Sequence, residues 1–229
     1  MAERALEGAS IVVTGATGGI GRQIANQLSE LGARLTLTAR DQGALEALGI
    51  DAAVVAADLR DSHAGTAIVD AALAANGRLD GLVNAAGIVA FGSLIETDDV
   101  VIEELFLTNV LGPLWLIRAA VPALTEANGF IANISAVVAE QPLAGMVAYA
   151  ASKAALTAAD RALTRELRKA GITVTDARPP HTETGLANRP ISGVAPQLRP
   201  GLEPDVVARR IIAAIQAGER EVPADAFGA

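Results

Sequence analysis

Tyr149 and Lys153 lie four residues apart in the stretch VAYAASKAAL (147–156). On an α-helix that spacing puts them on one face, one turn from each other. Tyr149 is the chain's single tyrosine, and Lys153 is one of two lysines, the other being Lys169. A free phenol has a pKa of about 10 and is a poor base at neutral pH. A nearby ammonium stabilises the phenolate and lowers that value. The phenol can then give a proton to a carbonyl oxygen or take one from an alcohol. Two polar residues on a helix surface would show the same spacing, so the pair acquires meaning only from what stands beside it.

TGATGGIG, Thr14 to Gly21, follows a short β-branched run and opens a helical one. Between a strand and a helix, such a turn is suited to hold a dinucleotide. Gly15 allows the tight turn, Gly19 lets backbone approach a pyrophosphate, and Gly21 lets the helix pack closely on the sheet. The helix N-terminus offers free N–H groups and partial positive charge. The end of the second strand chooses between dinucleotides: an acid there binds a ribose 2′-hydroxyl, an arginine a 2′-phosphate. The sequence reads LTLTARDQ, with Ala39 at the strand end and Arg40 next. This points to NADP(H) as the preferred cofactor, while Asp41 keeps NAD(H) possible.

The elements that must carry these residues follow from hydrophobic pattern. Runs at 10–14, 35–39, 52–57, 79–85, 130–135 and 172–177 read as strands, apolar on both faces as in a covered parallel sheet. Helical stretches fall at 19–32, 42–48, 62–76, 98–127, 148–170 and 204–217. The alternation predicts an α/β fold, a doubly wound parallel sheet with helices on both faces and right-handed crossovers. No break in composition divides residues 1–229, so a single domain is expected. Residues 179–203 are rich in proline and glycine and read as a loop, with 185–203 placed as a substrate lid.

The chain has 229 residues, 51% of them hydrophobic, which supports one large core. Its net charge is −8 and no lysine/arginine block occurs, which argues against a nucleic-acid or anionic-membrane partner. There are no cysteines, excluding disulfides and thiolate metal sites. Two histidines far apart in sequence, His63 and His181, give no metal site either; His63 reads as solvated, and His181 lies in the loop 179–203 with a pocket role as the lesser alternative. No signal peptide and no uncharged run of roughly 20 residues is evident, so a cytoplasmic location is expected.

Taken together, TGATGGIG, NAAG (84–87), Asn109 in TNVLG, and YAASK (149–153) resemble the short-chain dehydrogenase/reductase family, with matching spacing over nearly the whole chain. The resemblance implies a Rossmann fold and an NAD(P)-dependent oxidoreductase acting on a small carbonyl or alcohol. It implies cofactor contacts from Gly15, Thr17, Gly19, Ile20 and Gly21, and from Asp58 on adenine with Leu59 beside it. Asn84, Ala85 and Gly87 would line the groove, and Pro179, Thr182 and Thr184 would touch the nicotinamide end. Tyr149 would be the acid/base, Lys153 would also hold the ribose, and Asn109 would anchor a water that relays protons. It further implies pairing of subunits through 98–127 and 148–170 into a dimer or tetramer. Trp115 and Phe106 then read as core or subunit contacts.

Two positions depart from the family. A serine usually precedes the tyrosine by thirteen residues and holds the substrate oxygen; here that position is Ala136, and the nearest hydroxyl is Ser135. A bulge could bring Ser135 into the site; the substrate, a water or Thr182 could supply the donor; or catalysis could be slow or absent. Loss of one such donor costs about 10²–10³ in rate. Pro180 stands where the family has glycine, so a changed backbone path is expected there. The competing expectation is a dinucleotide-binding protein with little catalysis, acting as a sensor or partner.

Overall fold

The computed structural model describes residues 3–228. Seven strands form one sheet: β1 (Ser10–Thr14), β2 (Arg34–Ala39), β3 (Ala52–Ala56), β4 (Gly81–Asn84), β5 (Phe130–Ile134), β6 (Thr173–Ala177) and β7 (Glu221–Val222). Their order is β3-β2-β1-β4-β5-β6-β7, and every pairing is parallel. Seven α-helices connect them: α1 (Gly19–Glu30), α2 (Gln42–Glu46), α3 (Ala64–Asn76), α4 (Asp99–Phe106), α5 (Gly112–Ala127), α6 (Val147–Glu166) and α7 (Pro204–Ala217). This is the doubly wound arrangement expected from the sequence, with strand order turning at β1 and β4.

Both faces of the sheet are covered, which explains why the strands are apolar throughout. Ile11 and Val13 pack with Ile24 and Leu28 of α1 and Ile211 and Ile215 of α7. Val12 points the other way, to Ile68 of α3 and to Leu116 and Leu124 of α5. The side chains of α6 that cross the sheet's carboxyl end are partly polar. Beneath them lies a row of polar strand residues in register: Thr14, Asn84, Asn133, Asp176 and Glu221.

Element boundaries differ from the expectation in three places. β7 is only two residues long, too short for an alternating pattern to register. The helix expected over 98–127 is interrupted by a π-helical turn at Leu107–Leu111, between α4 and α5. The run Asp99–Ala127 is long and apolar enough to cross a membrane, with mean hydropathy 1.6. Here, however, its Leu116, Ile117, Ala120 and Leu124 are buried against the sheet. Finally, the helix expected to reach 170 leaves α geometry at Glu166 and ends in a 3₁₀ turn, Leu167–Ala170.

The stretch 185–203 is irregular, as expected, and is tied down at both ends. Ile191 N–H donates to Val89 O (2.9 Å) and Phe91 N–H to Ser192 O (3.0 Å). Thr182 bridges Leu202.

Leu116 is fully buried between α5 and the sheet. Leu116→Ala is expected to cost about 3 kcal/mol of unfolding free energy, within the ~2–5 kcal/mol range for such cavities. Chemical denaturation measures it, and a loss below about 1 kcal/mol would contradict this packing.

Candidate functional site

The glycine turn joins β1 to α1, and its shape depends on missing side chains. Gly15 has φ 62°, and a Cβ there would stand 2.7 Å from the backbone of Ala86. The loop after β4 therefore lies directly against the turn. A Cβ on Gly19 would stand 2.5 Å from Cβ of Thr184. The segment after β6 thus closes over the N-terminus of α1, whose cap, Gly18, has no side chain to occupy the free N–H groups.

A cavity of about 560 Å³ runs from this turn to Tyr149. Gly15, Thr17, Gly19, Ile20 and Gly21 line one end, with Arg40, Asp58 and Leu59 beside them. Ala85, Gly87, Lys153, Pro179, Thr182 and Thr184 line the middle and far part. The structure thus gathers nearly all the sequence-selected residues around one groove. Backbone exposed at a helix N-terminus, with side chains excluded by close approach, fits a dinucleotide pyrophosphate.

Asn84 is the exception. It does not line the cavity: it is 2% exposed, and its Nδ2 donates to Asn133 Oδ1 at 2.7 Å on the neighbouring strand. It lies on the sheet face it shares with Asn133, and this cross-strand bond is the side-chain contact the structure shows for it.

Around the expected adenine end, Asp58 accepts two bonds from the Arg60 Nε (3.1 and 3.0 Å) and one from its Nη2 (2.6 Å). These bonds hold the Asp58 carboxyl below the usual carboxylate range. Arg60 also donates to Glu104 at 2.9 Å. Sequence reading missed Arg60 and Glu104; the adjacency ADLRD was the available signal. Asp41 Oδ1 accepts from Ala44 N–H (3.0 Å) and caps α2. Arg40 is exposed at the cavity wall and, among the described residues, has no ion-pair partner.

The chemical end is built by α6 and the π-helical turn. Tyr149 is 7% exposed, and among the described residues its hydroxyl has no hydrogen-bond partner. Burial pushes the phenol up to about 12. Lys153 Nζ donates to Ile134 O at 2.9 Å, and burial pushes the ammonium down to about 8 against the opposing pull of Asp176. In the chain alone, loss of water sets the direction for the phenol, opposite to the lowering expected from an adjacent ammonium.

Asn109 lies behind the cavity wall. Its Oδ1 accepts from Ile88 N–H (2.9 Å), and its Nδ2 donates to Ile88 O and to Ser152 Oγ, both at 3.0 Å. The π-helical turn aims the carboxamide at the strand-following loop. A Cβ on Gly87 would lie 3.3 Å from Asn109 Oδ1 and 3.4 Å from Lys153 Nζ, so the two groups converge at one point.

No bulge brings Ser135 forward. Its N–H continues the ladder to Ala177 O (2.8 Å), which keeps the alternation intact. Its hydroxyl faces α6, donating to Lys153 O (2.9 Å) and accepting from Thr157 Oγ1 (3.0 Å). Ser135 and Ala136, the latter in extended backbone, both line the cavity. Thr182 Oγ1 is bonded to Pro180 O at 2.9 Å. Around Pro180 the backbone stays on the cavity wall with no cis peptide, and Pro179 O accepts from Val137 N–H at 3.0 Å. His181 lines the cavity too, with Nε2 3.4 Å from Glu183 Oε1. His63 is exposed and precedes α3.

A glycine turn under a parallel sheet's switch point, with a phenol and an amine in the same groove, defines a Rossmann-type oxidoreductase site. Comparison with known proteins carries this to a family. The model of the short chain dehydrogenase family matches residues 9–192. An uncharacterized oxidoreductase of Staphylococcus saprophyticus is 31% identical over 217 residues, 90% of each chain. The 17-beta-hydroxysteroid dehydrogenase 13 of Rattus norvegicus is 30% identical over 96% of this chain and 75% of that one. Among solved structures, a short-chain dehydrogenase from Streptomyces avermitilis superimposes with TM-score 0.84 at 29% identity, over 96% of this chain and 90% of that one. The chain belongs to the short-chain dehydrogenase/reductase family. Membership makes it an oxidoreductase using a nicotinamide dinucleotide and a small-molecule substrate.

Gly19→Ala forces its new methyl against Thr184. Overpacking of this kind costs about 1–3 kcal/mol, so dinucleotide affinity is expected to fall roughly tenfold or more. Fluorescence titration reads it; wild-type affinity in the variant would show that Thr184 does not close on this turn.

Proposed function

We propose that the chain is an NADP(H)-preferring reductase of small apolar carbonyl compounds, with Tyr149 as the proton donor. One observation carries the reading: a phenol kept neutral by burial, its hydroxyl free of partners within the chain, shares a groove with a helix N-terminus suited to phosphate. When bound, the cofactor supplies hydride to the carbonyl carbon. The Tyr149 hydroxyl gives its proton to the carbonyl oxygen as charge develops there. Lys153 would hold the nicotinamide ribose through Nζ. Asn109 and Ile88 O form the polar end of a path through which Tyr149 is reprotonated. Gly15, Gly19 and the first turn of α1 would hold the pyrophosphate, and Asp58 and Leu59 the adenine. Ser135 braces the α6 backbone at Lys153 through its bond to Lys153 O.

Arg40 would bind the 2′-phosphate. Its lack of an ion-pair partner supports this, as does the commitment of Asp41 to capping α2. The substrate half of the groove is walled by Val89, Phe91, Val138, Leu143, Met146 and Leu186, which supports an apolar carbonyl. Residues 185–203 serve as the lid. The absence of cysteine and the anionic surface charge suit a cytoplasmic location, and exposed Val100 and Leu111 suit subunit pairing along α4 and the π-helical turn.

A second reading, a dinucleotide-binding protein with little catalysis, draws support from Ala136, which has no hydroxyl to hold a substrate oxygen. Turnover decides between them. Tyr149→Phe is expected to lower carbonyl-reduction kcat about 10²–10⁴-fold with NADPH affinity retained. Unchanged kcat would remove Tyr149 from its role, and no wild-type turnover over a broad carbonyl panel would favour the second reading. Arg40→Ala is expected to reduce the NADPH/NADH affinity ratio roughly tenfold or more, the worth of a charge-assisted bond. An unchanged ratio refutes the 2′-phosphate assignment.

A further inference from the structure

Among the described residues that line the cavity, Asp58 and Glu104 are the two carboxylates, and one guanidinium, that of Arg60, joins them. Both therefore stand where the adenine is expected. Adenine carries an exocyclic amine, which only donates. A side chain that reads it must accept, and Arg40 and Arg60 at the same end only donate.

The two acids are unequally committed. Asp58 Oδ1 accepts from the Arg60 N–H (3.0 Å) and from its Nε (3.1 Å). Asp58 Oδ2 accepts from the same Nε (3.0 Å) and from Nη2 (2.6 Å). One residue thus engages both oxygens. Freeing one for a neutral amine would give up charge-assisted bonds, which are the stronger kind. Glu104 meets the guanidinium through Oε1 alone, accepting from Nη1 at 2.9 Å. Its Oε2 has no partner among the described residues, and its side chain, 37% exposed, is open to a ligand.

The fold brings the two acids together by close packing. A Cβ on Gly112, the first residue of α5, would stand 2.8 Å from Leu59 O and 2.9 Å from Leu59 Cβ. The loop that carries Asp58 and Arg60 is therefore pressed against the junction of the π-helical turn and α5. The same helical run presents Glu104 and Thr108, four residues apart, to the cavity.

We propose that Glu104 is a specificity-determining residue for the cofactor: its Oε2 accepts from the adenine amine, while Asp58 serves the base at one remove by fixing the Arg60 guanidinium. This rests on the reading that sets the adenine beside Asp58; it requires no turnover and no choice between NADPH and NADH.

Fluorescence titration of the full chain tests it, using NADPH and its hypoxanthine analogue, in which a carbonyl oxygen replaces the amine. Wild type is expected to bind NADPH roughly tenfold more tightly, the scale of a hydrogen bond to a charged group. The analogue sets an oxygen against a carboxylate. Glu104→Gln keeps the side chain's size, and its carboxamide can donate to that oxygen or accept from the amine, so the two affinities should come within about twofold of each other. Asp58→Asn should weaken both nucleotides and keep the wild-type ratio. A wild type that binds the two alike, a ratio that survives in Glu104→Gln, or one lost in Asp58→Asn each overturns the proposal. If Asp58→Asn fails to fold, the Glu104→Gln ratio still decides. A chain that shows these ratios and reduces no carbonyl refutes the reductase reading alone. One that binds neither nucleotide refutes the dinucleotide site and this proposal together.

Discussion

The burial of one ammonium governs the architecture around the reactive end of the groove. Lys153 is 5% exposed, and a charge removed from water is costly unless hydrogen bonds and opposite charge replace the solvent. The Ile134 carbonyl at the end of β5 supplies the first and Asp176 the second. Both require α6 to lie close over the sheet's carboxyl end. Alanines along α6 permit that approach, and Ser135 secures it by bonding the backbone carbonyl of Lys153 itself. Ser152, one residue earlier, donates to Tyr149 O and accepts from Asn109, so the π-helical turn is locked to the same helix. Moving Lys153 would therefore disturb β5, α6 and the turn together.

The dinucleotide end obeys a different constraint, the exclusion of side-chain atoms. Gly15 meets Ala86 after β4, and Gly19 meets Thr184 after β6. The groove's shape thus comes from loops following three strands pressed against each other. The stretch after Thr184 is also pinned to residues 89–91 by backbone bonds, so the apolar wall and the pyrophosphate turn belong to one connected rim. In such an arrangement the position of the substrate and that of the cofactor are not independent.

Much of this was legible in the sequence because it rests on local pattern. Short apolar runs marked six of the seven strands, and glycines at 15, 19 and 21 marked the phosphate turn. Tyr149 and Lys153 share a helix face because four residues make about one turn. What escaped depends on contacts distant in sequence. Nothing in TNVLG signals a π-helical turn or the side-chain bonds Asn109 makes to Ile88. Nor does NAAG reveal the partner of Asn84, which is Asn133 on the next strand. The burial of Tyr149 escaped for a similar reason. Spacing reveals that an amine is near, while burial, which decides the sign here, is set by Phe91, Val138 and Met146 packing around the ring.

That sign bears on the direction of chemistry. At neutral pH a phenol with a pKa of about 12 is ionised in roughly one molecule in 10⁵. A site that must begin by accepting a proton from an alcohol starts from that rare form. A site that must give a proton to a carbonyl starts from the common one. The oxidised cofactor's positive charge would narrow the gap for oxidation, and the reduced cofactor brings no such charge to the ring, which is why the reading proposed above takes Tyr149 as a proton donor. Ala136 sharpens the point. With no hydroxyl there to share the developing charge on the substrate oxygen, stabilisation falls on Tyr149, and a donor that is almost always protonated is the arrangement that tolerates the missing partner best.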